Sequence, residues 1–294
     1  GAFIMPVKPQ SLAVAWTVIG LWLVVTLTSF LAPGVLSANN ARFINVALMF
    51  LFTLIHGAQR YRVTGILVYF AIAVGVTNVT ENLSIVTGFP FGQYHHTAAM
   101  GVQVAHVPII IGPIFAVAGY LGWVIAGLLL GEVFGPARRT LTLARPIIAA
   151  FITTSWDLCV DAIGGTVNRD WVWADVGPWF GVPWLNYFGW MLTMWVIFQA
   201  FALYLKFAPA PETIVARSAY WLQALAFWAL IALQFPLLAA IVPDLTFTDP
   251  AGMQWRGADL FQSMALVSVF TMGFTVVLAT MLWWRARCAE AAAD

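Results

Sequence analysis

A chain of 294 residues that is 62% hydrophobic and 9% charged, with a formal net charge of +1, cannot present the charged surface of a soluble domain of that size. It also lacks the concentrated cationic face that binding nucleic acid demands. The sequence reads as an all-α integral membrane protein, a single polytopic domain over residues 1–294. Cys159 and Cys288 fall in or beside different hydrophobic stretches and suggest no disulfide framework.

The leading GAFIMPVKPQ has neither a basic region with a following cleavage site nor helical patterning, so residues 1–10 are expected to be a tag remnant or a disordered end. Stretches apolar enough to cross a bilayer, at ~20 residues each, follow at 12–31, 43–56, 65–86, 107–130, 143–163, 184–207, 219–242 and 260–284. That gives eight spans. The second is short, and seven spans is the alternative count. With eight, one side collects Lys8, Arg60, Arg62, Arg138, Arg139, Arg145, Lys206, Arg217, Arg285 and Arg287, leaving Arg42, Arg169 and Arg256 opposite. Lys and Arg accumulate in short cytoplasmic loops, so both termini are expected in the cytoplasm, which requires an even number of spans. The expected location is a bacterial or archaeal cytoplasmic membrane.

Two stretches break the apolar pattern. In the third span Asn78, Glu81 and Asn82 are spaced three and four apart and share one helical face. In the fifth, Asp157 and Asp161 are four apart and face one way. Ionisable groups at membrane depth cost ~2.5–3.5 kcal/mol each on insertion scales and mark pathways or reactive sites. The competing reading is a solvated helix end, or for Asp161 an ion pair with Arg169. Neither span carries a base to neutralise these acids, so at least one is expected to keep its proton, and a neutral carboxylic acid is a usable proton donor.

His95 and His96 follow the Gly/Pro-rich GFPFGQY, which reads as a loop at the outer interface, and His106 stands just before Pro108. A metal site there is disfavoured, because adjacent histidines do not easily face one ion and the spacing of a helical metal pair is absent; no metal and no cofactor are expected. His56 reads as a packing histidine. The aromatic run from Trp171 to Trp190 reads first as an interfacial belt, yet its crowding beside Asp157 and Asp161 suits a site that handles a carbocation, since dry aromatic faces attract positive charge by ~2 kcal/mol or more. The lysines, Lys8 and Lys206, leave no mid-span Schiff base for a retinal pump. A second Asp-rich motif, which an intramembrane prenyltransferase needs to hold magnesium and diphosphate, is missing. A proton-coupled transporter fits buried acids but would be better supported by an internal repeat.

The strings ENLSIVTGFPFGQYHHT, HVPIIIGPIFAVAGY, WDLCVDAIGG and WVWADVGPWFGVPWLNYFGW together resemble a membrane carotenoid-biosynthesis family that includes bisanhydrobacterioruberin hydratases and related carotene hydratases, over about residues 65–195. The chain departs from that family's pattern in the pair His95–His96 after Tyr94 and in the run AIGG after Asp161. The resemblance implies cofactor-independent hydration of a terminal isopropylidene double bond in a long polyene taken from the bilayer, with water as co-substrate. On that reading Asp157 or Glu81 is the proton donor and the other the general base. Asp161, Asn78, Asn82, Asn186 and the pair His95 and His96 set water and charge, while Trp156, Tyr94 and Trp171 face the cation. A cyclase shares the first step and is the nearest alternative reaction.

Overall fold

The computed structural model describes residues 9–135 and 141–293, and among them are seven helices long and apolar enough to cross a membrane. The first described helix, α1, covers Pro9–Leu31, so Pro9 and Gln10, expected in a tag remnant or disordered end, are helical. The reading of residues 1–8 as a tag remnant lies outside the described residues.

The second helix, α2, covers Ala38–Thr87, 50 residues. Held straight, it would reach ~75 Å at ~1.5 Å per residue, more than twice the ~30 Å hydrocarbon core. It is broken instead at Arg62, which sits at φ 61 and ψ 169. Residues 38–61 and 63–87 fold back on one another: the Phe50 and Phe70 rings lie 4.2 Å apart, and a Cβ on Gly57 would stand 2.5 Å from Ile66 Cδ1. One helix therefore contributes two crossings, and the described residues make eight in all. The short second span expected at 43–56 extends to 38–61.

α3 is Ile111–Leu129, α4 is Leu141–Ala162 with a π-helical continuation Ile163–Val167, α5 is Trp184–Phe207 and α6 is Ala219–Ile241. The last crossing joins α7, Gly257–Val267, through the π-helical Ser268–Gly273 to α8, Phe274–Ala293. The fourth span starts at Ile111 and not at 107, because Val107–Pro108 pairs with Gln103–Val104 in a small hairpin. α3 is buried on every side from Phe115 to Leu128, as a helix apolar all round should be, with α2, α4, α5, α6 and α8 packed against it.

At one end of the bundle Gln223 donates to the Leu12 carbonyl, and Glu290 accepts the Ala216 and Arg217 backbone N–H groups. The start of α1, the start of α6 and the end of α8 thus meet on one face. The same end holds a buried ion network in which Arg60 lies 3.2 Å from Glu132 and Arg145 donates to that carboxyl. Arg145 also donates to Tyr61 Oη at 3.2 Å and lies 3.9 Å over the Trp123 ring. Arg60 and Arg145, which the charge count treats as loop residues, are therefore locked inside the protein. His56 is a packing histidine, held by Tyr120 Oη at 2.6 Å and the Tyr220 carbonyl at 2.8 Å and stacked on the Tyr220 ring.

At the other end lie the strands. β1 (Tyr94–His96), β2 (Gln103–Val104) and β3 (Val107–Pro108) sit between α2 and α3; β4 (Trp171–Trp173) precedes α5; β5 (Thr246–Thr248) and β6 (Gln254–Arg256) form a hairpin before α7. Asp249 shapes that last turn by accepting the Ala251 and Met253 N–H groups.

Candidate active site

The two polar stretches of the sequence are bonded to each other. β1 and β4 pair antiparallel, with Tyr94 opposite Trp173, His95 opposite Val172 and His96 opposite Trp171. Side chains alternate along a strand, so Tyr94, His96, Trp171 and Trp173 turn to one face while His95 turns to the other and is exposed. That alternation separates the two histidines. Among the described residues no three His, Cys, Asp or Glu side chains are grouped as metal ligands.

The turn feeding β1 is fixed from the helix behind it. Gly88 ends α2 in the left-handed conformation at φ 85, and Ser84 Oγ accepts the Phe91 N–H and donates to the Gly92 carbonyl. Glycine suits that cap because it carries no Cβ to clash there. On the other side, the π-helical turn after Asp161 lays Gly164 against the Trp171 ring; a Cβ there would stand 2.2 Å from Trp171 Cη2. The AIGG run thus gives β4 a flat seat that a larger side chain would fill.

The inward face of this strand pair closes a cavity of about 300 Å³ between the helices, lined by Glu81, Tyr94, His96, Asp157, Asp161 and Asn186 and by the aromatic faces of Phe115, Trp156, Trp171, Trp173 and Trp190. Glu81 Oε2 accepts the Tyr94 phenol and lies 3.2 Å from His96 Nε2. Burial, and then the Glu81 charge, hold the Tyr94 phenol well above its ordinary pKa, so it is a neutral donor. Asn186 Nδ2 donates to Asp157 Oδ2 at 3.2 Å and to Asp161 Oδ2 at 2.6 Å. One amide ties the two aspartates of α4 to the start of α5. Glu81, Asp157 and Asp161 are each at most 5% exposed, which answers the solvated-end reading for all three. Arg169, the other partner considered for Asp161, donates to the Thr248 carbonyl. Trp190 stacks on Phe115 with ring centroids 3.8 Å apart and meets Trp156 edge-on at 5.9 Å.

Besides His95, two more expected members stand outside. Asn78 donates to the Val74 carbonyl and Asn82 to that of Asn78, while Asn82 Oδ1 accepts the His106 N–H. Neither lines the cavity. Their spacing gave them Glu81's half of the helix, but they lean toward α3 and the β2–β3 hairpin. Sequence reading missed Phe115 and did not single out Trp173 and Trp190 from the aromatic run, although Trp171-Val-Trp173 has the period of a strand and Trp190 follows Asn186 by one helical turn. It also missed the Arg42–Asp170 ion pair, 2.5 Å, on the cavity wall. The aromatic run serves both purposes weighed for it: Trp171, Trp173 and Trp190 line the cavity, whereas Trp184 is 66% exposed on the outer surface.

A family model described as carotenoid biosynthesis protein matches residues 40–249. The chain belongs to that family. The match is wider than the stretch 65–195 that carries the motifs, and it takes in both halves of α2 and everything through β5. No curated protein and no solved structure shows significant similarity to the chain. Family membership gives this integral membrane protein a carotenoid-related role, and the cavity is where the buried Glu81, Asp157 and Asp161 converge.

Proposed function

We propose that this protein hydrates the terminal isopropylidene double bond of a long acyclic polyene drawn from the bilayer, using water and no redox chemistry. The observation that carries the reading is the convergence of Glu81, Asp157 and Asp161 with indole and phenyl faces on one cavity, in a chain of the carotenoid biosynthesis family. Such an arrangement matches what the reaction needs: an acid, a cation-tolerant wall and a base.

Asp157 receives from Asn186 and leaves its other oxygen for a proton, which it delivers to the less substituted alkene carbon. The π electrons form the new C–H bond, and a tertiary cation develops against Trp156, Trp171 and Trp190. Glu81, steadied by Tyr94 and His96, takes a proton from water as the water oxygen bonds to the cation. That proton returns to Asp157 through cavity water before the next turnover, so the sum is alkene plus water to tertiary alcohol. Asn186, itself anchored on Asp161, holds Asp157 in place. The face carrying the strands is the outward one and both chain ends are cytoplasmic, in keeping with the Lys and Arg bias of the loops.

Expression in a host that makes acyclic carotenes tests the reading: pigments should gain the mass of one water per modified end. Isomeric products of unchanged mass would instead identify a cyclase.

A further inference from the structure

A cavity of about 300 Å³ is at the small end of the ~300–1,000 Å³ that encloses a whole drug-sized ligand. It can take the end of a long polyene but not its length, so the remainder must lie outside it. On the outer surface of the bundle a second, apolar groove of about 510 Å³ runs along α2, where Phe43, Val46, Ala47 and Phe50 form one stripe at helical spacing. Its far wall comes from the chain around the β2–β3 hairpin, including Val102 and Ile109, 74% and 57% exposed. The hairpin is held in place by the His106 N–H on Asn82 Oδ1 at 3.1 Å and the Ile109 N–H on the Val102 carbonyl at 2.9 Å.

Groove and cavity share two lining residues, Val46 and Met100. Met100 is 1% exposed, with its sulfur 2.9 Å from Arg42 Nη1. An unbranched thioether has three rotatable bonds and re-packs easily, which suits a side chain standing between two compartments.

We infer that this groove binds the polyene body of the substrate, which passes over Met100 so that its terminal double bond reaches Asp157 and Glu81. The identity of the occupant rests on the hydratase reading; the wall that groove and cavity share does not.

The test uses the full chain purified into nanodiscs, with binding of an acyclic conjugated carotene followed by quenching of tryptophan fluorescence. Ala47→Trp and Ile109→Trp fill the groove from exposed positions without touching the core. Leu67→Trp, on the surface and outside both compartments, is the control. Both groove variants should weaken carotene binding by about tenfold or more, and should weaken far less the binding of a short isoprenoid hydrocarbon with the same isopropylidene end. The control should bind like the unmodified protein. Carotene affinity unchanged in both groove variants, equal losses for long and short ligands, or no carotene binding by the unmodified protein would each overturn the inference. Product analysis of the same samples separates the two claims. Groove-dependent binding without a hydrated product refutes the hydratase and keeps the groove, whereas hydration with groove-insensitive binding refutes the groove and keeps the hydratase.

Discussion

Tyr94 donates its phenol to Glu81 across the turn that links the end of α2 to β1, so a strand residue orients a carboxyl buried in the membrane. Tyr94→Phe removes that donor and little else. Leaving a buried acceptor unpaired costs ~1–3 kcal/mol, so if Glu81 is the base, turnover should fall by about tenfold or more while the purified protein keeps its thermal midpoint within a few degrees. Unchanged turnover would detach Tyr94 from the chemistry.

The acids themselves should matter more. Asp157→Asn and Glu81→Gln are each expected to fold and to lose about two orders of magnitude or more in turnover, the scale of a general acid or base. Asp175→Asn, at an exposed position, should behave almost as the unmodified protein. Near-full activity in both buried variants would reduce the carboxyls to structural roles.

At the opposite end, Glu132 is the shared partner of Arg60 and Arg145. Removing one partner of a buried pair leaves uncompensated charge, a loss of ~3–5 kcal/mol. Glu132→Gln should therefore lower the thermal midpoint sharply, read by a fluorescence melt in detergent. A melt like that of the unmodified protein would show the network to be dispensable.

Sidedness has its own check. In a Cys288→Ser background, where Cys159 stays buried, single cysteines at Gln93 and Arg62 should label from opposite sides of an intact membrane, with Gln93 outside. Labelling of both from one side would contradict eight crossings; labelling of Gln93 from the cytoplasm would invert the orientation.

Much of this was legible in sequence. The acids announced themselves because Glu81, Asp157 and Asp161 interrupt apolar runs, and the spacing of Asp157 and Asp161 put them on one face. Asn78 and Asn82 were misplaced by the same rule, since a three- or four-residue spacing defines a half-face and not whether a side chain leans toward the cavity or toward α3. The break at Arg62 was visible only as a pair of arginines between two apolar runs; that the helical stretch carries on to Tyr61 and resumes at once depends on packing between Phe50 and Phe70. Nothing local to either stretch encodes the pairing of β1 with β4. It is a contact between segments far apart in the chain, and only the period of Trp171-Val172-Trp173 hinted at a strand.

The central claim, that water traps a cation made by a buried acid, is tested most directly in oxygen-18 water. Purified protein in nanodiscs, given an acyclic carotene without an ion gradient, redox partner or added metal, should form a tertiary alcohol whose new hydroxyl carries the label. A hydroxyl oxygen drawn from dioxygen would contradict the mechanism, as would an unlabelled ringed product or gradient-driven movement of an unaltered carotene.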